Sequence, residues 1–108
     1  MASDYNSAQA FKVARHFEFK NGVNIESITG AKTLTYKDSM FQVLTPDAAY
    51  DVTLPAERNG AVFFIKNESG SFALTVKDQA ASTIATVSAG EGSIFACDGA
   101  DWKLIIKA

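Results

Sequence analysis

The chain reads as an all-β protein: a single small antiparallel β-sandwich or barrel of about eight short strands, behind an extended N-terminal arm. Three observations predict this. Short apolar runs recur about every ten residues from residue 31 onward, Gly, Asn and Asp gather between them, and little sequence is left over for helix. Only "KDQAAS" (77–82) has room for a helical turn, and a short connection suits it better.

In order, the runs are "KTLTY" (32–36), "MFQVL" (40–44), "YDVTL" (50–54), "AVFFIK" (61–66), "FALTV" (72–76), "TIATV" (83–87), "SIFAC" (93–97) and "WKLII" (102–106). Strand side chains repeat every two residues, so Tyr50, Val52 and Leu54 share one face, as do Phe72, Leu74 and Val76. Both faces are expected in the core. Phe63 and Phe64 are adjacent and must point to opposite sides. One is core, and the other asks for a second cover, which makes the pair the candidate subunit interface.

The punctuation agrees. Asn59 with Gly60, "NESG" (67–70), "AGEG" (89–92) and "DGAD" (98–101) supply residues that tolerate positive φ. Pro46 and Pro55 stand at the ends of runs, where a missing N–H costs no ladder bond.

The first twenty residues form the arm, and residues 21–108 the β domain. Residues 3–10 are polar with little to bury. Residues 11–19 then alternate: Phe11, Val13, Phe17 and Phe19 lie on one side, interrupted by Arg15, and Lys12, Ala14, His16 and Glu18 on the other. The following "KNGVNI" (20–25) reads as a hairpin. A two-residue Asn-Gly loop would set Phe19 opposite Asn24. A three-residue loop with Gly22 left-handed would set Phe19 opposite Val23 and Phe17 opposite Ile25, and this apolar pairing is the register expected.

A length of 108 residues, with 47% apolar and 20% charged, suits one compact domain. Net charge is −2, and Lys12, Arg15, Lys20, Lys32 and Lys37 stand singly, so no basic stripe points to nucleic acid. The lone Cys97 excludes an internal disulfide, and the start "MASDYNSAQAF" lacks the basic and apolar regions of a signal peptide. Synthesis in a reducing host cytoplasm is the expectation. No apolar run approaches the roughly 18 residues of a membrane-spanning helix.

Reactive residues are dispersed, and the expectation is no enzyme, no cofactor and no metal. His16 has no Ser or Asp at motif spacing, and it reads as a surface or strand-pairing residue. Cys97 has no CxxC partner and alternates within "SIFAC" as a small buried hydrophobe would. The two acids of "DGAD" fit a calcium ion or a sugar hydroxyl in principle, and a plain turn more simply. "GEG" (90–92) is too short for a dinucleotide fingerprint. Trp102 reads either as a plug at the end of a small barrel or as a sugar-stacking platform.

"DVTLPAERNGAVFFIKNESGSFALTV" and "GEGSIFACDGADWKLI" together resemble small β modules on tailed-bacteriophage virions. In these an apolar strand ends in Leu-Pro, a Gly opens an apolar strand that ends at Asn, an "LTV"-like strand follows, and a Gly-rich turn precedes a strand with Trp. The matching positions are Leu54, Pro55, Gly60, Phe64, Ile65, Asn67, residues 74–76, Gly90, Gly92 and Trp102. Such modules occur in tail fibres and in capsid decoration (cement) proteins. A small β domain standing behind a short arm looks like the second. The resemblance implies a homotrimer on the outside of the expanded head, with the major capsid protein as partner. The alternative it leaves is a glycan- or receptor-binding module of a tail fibre or baseplate, with Trp102, Tyr50 and residues 98–101 as contacts.

For the decoration reading, an extended arm adds its backbone to a strand edge of the shell while alternate side chains fill pockets. Phe11, Val13, Phe17 and Phe19 would be the anchors, with Arg15 among them. Burying four such side chains gains roughly 6 to 12 kcal/mol, whereas fixing about nine residues costs on the order of 9 to 18 kcal/mol of backbone freedom. One arm would bind weakly. Three arms on one rigid trimer gain avidity of about 10² to 10⁴ over a single arm.

Overall fold

The computed structural model describes residues 21–108. The arm, residues 1–20, with its strand-like stretch 11–19, lies outside the described residues. The described chain is an all-β sandwich without helix. Its strands are β1 (Val23–Ile28), β2 (Lys32–Thr33), β3 (Phe41–Pro46), β4 (Tyr50–Thr53), β5 (Val62–Asn67), β6 (Leu74–Lys77), β7 (Thr83–Val87), β8 (Gly92–Cys97) and β9 (Trp102–Lys107). Each of the eight apolar runs overlaps a strand, and β1 begins where the second half of the expected hairpin falls, the first half lying outside the described residues.

Five strands form one sheet in the order β1-β3-β5-β8-β9, and four form the other in the order β2-β4-β6-β7. The expected antiparallel pairing is corrected here. β1 with β3, β3 with β5, β2 with β4 and β4 with β6 are parallel, and only β5 with β8, β8 with β9 and β6 with β7 are antiparallel. The reason lies in the connections. Strands β1 to β6 alternate between the sheets, so each strand meets its parallel partner after a crossover that contains a strand of the opposite sheet. Such a crossover supplies the dozen or so residues that parallel neighbours need.

The turn residues serve this path. Gly60, at φ 88°, lies where the chain steps from β4 in one sheet to β5 in the other, and its N–H donates to the Cys97 carbonyl at 2.9 Å. It closes no hairpin. The hairpins are β6–β7, where the Ser82 N–H donates to Asp78 Oδ1 at 2.9 Å, and β8–β9, across residues 98–101. Before β1, Gly22 is left-handed (φ 61°) as the expected loop requires, but Asn21 is left-handed too (φ 72°). Two consecutive left-handed residues are the geometry of a two-residue reversal, not of the three-residue loop.

The core lies between the sheets. Leu44, Phe63, Ile65, Phe95 and Trp102 from the five-stranded sheet meet Val52, Leu54, Leu74, Val76 and Val87 from the other side. Each fully buried side chain of this kind contributes about 1.5 to 3 kcal/mol. Val52 and Leu54 are buried as expected, and Tyr50 only partly. Phe72 departs from its expected face: it is 39% exposed because β6 starts at Leu74, and its N–H is taken by Ser69 Oγ at 2.9 Å in the preceding turn.

Polar side chains inside the sandwich are paired. Asn67 donates through Nδ2 to the carbonyls of Phe72 (2.7 Å) and Val87 (3.0 Å), and its Oδ1 accepts the Ser69 N–H at 2.9 Å. It thereby ties the end of β5 to the approach to β6 and the end of β7. Gln42 donates to the Ser39 carbonyl and accepts from Asn24 Nδ2, both at 2.8 Å.

Candidate interaction surface

The two outer faces differ in chemistry, and strand register shows how. On the five-stranded sheet, Val23, Phe41, Phe64, Ile94 and Ile106 are level with one another across β1, β3, β5, β8 and β9. They alternate with buried neighbours on β3, β5 and β8, so they point away from the core. The result is one apolar row across the whole sheet. Ile25 and Val43 begin a second row, continued by Lys66, and Val62 and Ala96 a third. On the four-stranded sheet the equivalent row is Asp51, Thr75 and Thr86, beside Thr53 and Lys77. Asp51 and Lys77 form an ion pair there at 3.1 Å.

Phe41 and Phe64 stack at the centre of the apolar row, with ring centroids 4.3 Å apart and planes 14° from parallel. They help to wall a shallow depression of about 400 Å³ together with Val23, Val43, Lys66 and Ile94. At the two ends of the row water reaches the surface. Val23 is 57% exposed, Ile25 78% and Ile106 54%. Ile105, 60% exposed, is the additional residue of a bulge in β9 and widens that end. Among the described residues, no third layer covers this face.

The expected site residues fall as follows. Phe11, Val13, Arg15, Phe17 and Phe19, like His16, lie outside the described residues. Of the interface pair, Phe63 is the core member, 5.9 Å from Trp102 and 6.4 Å from Tyr36 by ring centroids, so it is corrected from interface to core. Phe64 lies on the outer face. Cys97 is buried and its sulfur accepts the Gly99 N–H at 3.4 Å.

Trp102 is a plug and not a platform. It is buried, and its indole N–H donates to the Pro55 carbonyl at 2.9 Å, so neither ring face nor N–H is offered to a sugar. The "DGAD" loop is a turn built by its first acid. Asp98 Oδ1 accepts the N–H groups of Asp101 at 2.8 Å and Ala100 at 2.9 Å, and those bonds hold its carboxyl below the usual range. Among the described residues, no group of three or more His, Cys, Asp or Glu is placed to hold a metal ion.

At the β1 edge, Glu26 accepts from Lys32 Nζ at 2.9 Å and from Asn24 Nδ2 at 3.0 Å. The Asn24 bond first, and Lys32 second, lower its pKa. At the opposite end of β5, burial raises the pKa of Tyr36, whose ring carries the Arg58 guanidinium at 3.9 Å from its centroid.

Sequence reasoning found Phe64 but missed the rest of the row. The signal was present in "MFQVL", "AVFFI" and "SIFAC", which are apolar on both faces of a strand and not on one. What was missing was register, since only the pairing shows that the outward residues of five strands are level. No protein family matches the chain, and neither do any curated protein or solved structure.

Proposed function

We propose that this is a structural virion protein: a bacteriophage capsid decoration protein that acts as a homotrimer. It binds the major capsid protein on the outer surface of the expanded head and stabilises the shell by linking capsomers through its N-terminal arm. The observation that carries this reading is the one-sidedness of the body. One sheet turns an apolar row of five strands outward, and the other a polar row with an ion pair. A body of that kind suits a part with one side toward its neighbours and the other toward water.

In this mechanism the sandwich is a rigid knob that holds the arms at fixed spacing. The Phe64 face joins copies, and Phe11, Val13, Phe17 and Phe19 anchor each arm, with Arg15 between them. A membrane role finds no support in helices: among the described residues, none is long and apolar enough to cross a bilayer.

The test is a deletion of residues 2–15. The shortened protein is expected to keep its β circular dichroism and its oligomeric mass by sedimentation velocity, and to stop co-sedimenting with expanded heads. Normal coating of heads by the shortened protein would sink the arm mechanism. Phe64→Glu is expected to leave the fold intact and to shift the sedimenting species to monomer.

A further inference from the structure

We propose that Asn21 is this protein's site of deamidation: the Gly22 nitrogen attacks its side-chain amide, leaving aspartate or isoaspartate where residues 1–20 join β1. The inference goes beyond the capsid reading and does not depend on it.

The sequence offers several candidates, and hydrogen bonding separates them. Asparagine is a thermolabile residue. Within a chain it reacts when the backbone nitrogen of the next residue attacks its side-chain carbonyl carbon. Glycine in that next position leaves the nitrogen open, because it carries no Cβ. Asn21 and Asn59 are both followed by Gly, and Asp98 with Gly99 offers the same ring closure from an acid.

The attacking nitrogen must shed its proton, and a nitrogen already donating to a carbonyl must break that bond as well. The Gly60 N–H donates to the Cys97 carbonyl at 2.9 Å, and Asn59 Cβ lies so close to Gly99 that a methyl group there would come within 3.2 Å of it. Ring closure at Asn59 therefore needs both a broken bond and a moved side chain. The Gly99 N–H donates to Cys97 Sγ at 3.4 Å, and the two N–H groups on Asp98 Oδ1 keep its carboxyl ionised, which makes it a poor target for a nucleophile. Asn67 precedes Glu68, whose N–H donates to the Leu44 carbonyl at 2.8 Å. Asn24 precedes Ile25, whose branched side chain crowds the nitrogen.

Gly22 differs from all of these. Among the described residues nothing accepts its N–H, both Asn21 and Gly22 are exposed, and a methyl group on Gly22 would touch nothing within 4 Å. One bond restrains the Asn21 side chain, from Nδ2 to the Lys37 carbonyl at 3.2 Å, the long limit for such bonds. It holds the leaving nitrogen and not the carbon that is attacked.

The atoms balance without an oxidant or a reductant. The Gly22 nitrogen bonds to Asn21 Cγ as its proton passes to water, and the bond to Nδ2 breaks as ammonia leaves. Water then opens the five-membered imide. Cleavage at Cγ gives aspartate, and cleavage at the main-chain carbon gives isoaspartate, whose backbone is one methylene longer. Either product lacks the Nδ2 donor, so the tie to the Lys37 carbonyl is lost, and one negative charge is added to a formal −2.

The experiment incubates the full-length protein at mildly alkaline pH, in buffer and in urea, and follows its digested peptides by mass spectrometry. In buffer, reaction at Asn21 is expected to run about tenfold or more ahead of Asn59, since one hydrogen bond and one packed side chain restrain the second site. In urea the two rates should converge, because the protection is structural. The first acidic species on anion exchange should carry isoaspartate at position 21 and be missing from Asn21→Gln, whose longer side chain closes a ring more slowly. Equal rates at Asn21 and Asn59 in buffer would overturn the proposal. So would an Asn21 that stays intact in buffer, or a first acidic species that traces to any other residue.

Discussion

Phe64 stacks on Phe41 with ring centroids 4.3 Å apart on the outer face of the five-stranded sheet, while its neighbour in sequence, Phe63, lies 5.9 Å from Trp102 in the core. Two adjacent residues of one type thus serve two surfaces. Removing each ring should separate the roles. Phe63→Ala leaves a cavity and is expected to cost about 3 to 5 kcal/mol. Phe64→Ala loses a half-buried stacked pair and is expected to cost about 1 kcal/mol. Urea unfolding of the two variants checks this, and equal losses would contradict the assignment of faces.

The bond from Trp102 to the Pro55 carbonyl joins the last strand to the end of the β4 segment, 47 residues apart. Trp102→Phe keeps most of the apolar contact but leaves a buried carbonyl without its donor. The expected loss is about 1 to 3 kcal/mol. The same burial predicts a blue-shifted tryptophan emission that neither acrylamide nor added sugars change. Strong quenching in the folded protein would show Trp102 to be open, and would revive the glycan-binding alternative.

Asn67 satisfies two carbonyls and one N–H from inside the sandwich. Asn67→Leu fills a similar volume but orphans all three groups, so a loss of about 3 kcal/mol or more is expected. Hydrogen exchange should show where it acts. Ser69, whose N–H bonds the Asn67 side chain, and Phe72, in the turn whose carbonyl that side chain holds, should exchange faster, while β8 and β9 change least. A neutral outcome would mean that water replaces the side chain.

Much of this molecule is legible in its sequence, and the limits have physical causes. Alternation located the strands, because burial on one face imposes a period of two. The "IKN" ending of β5 marked a residue whose role, the three hydrogen bonds of the Asn67 side chain, only the fold explains. Strand direction was not legible. Asn59 and Gly60 permit a sharp change of direction equally well in a hairpin and in a step between sheets, and turn chemistry does not distinguish the two. The apolar outer row was not legible for a related reason. Phe41, Phe64 and Ile94 are far apart in sequence, and only the parallel register of β3 with β5 and the antiparallel register of β5 with β8 bring them level.

Acid should weaken the fold through two carboxylates whose pKa values are lowered. Glu26 is held down by Asn24 and then Lys32 from an ordinary value of 4.5, and Asp98 by the N–H groups of Asp101 and Ala100 from 3.8. A carboxylate more acidic in the folded than in the unfolded chain contributes stability above its unfolded pKa, and that contribution disappears as pH falls through the folded one. The melting temperature should therefore stay level from neutral pH to about 5 and decline below about 4.5, first through Glu26 and then through Asp98. Asn at position 98 keeps an acceptor for both N–H groups but cannot titrate, so Asp98→Asn should flatten the lower part of the decline. Melting curves of both proteins between pH 3 and 6 make the comparison. A melting temperature that rises on acidification, or a variant that follows the parent curve throughout, would show that these carboxylates do not govern the acid limb.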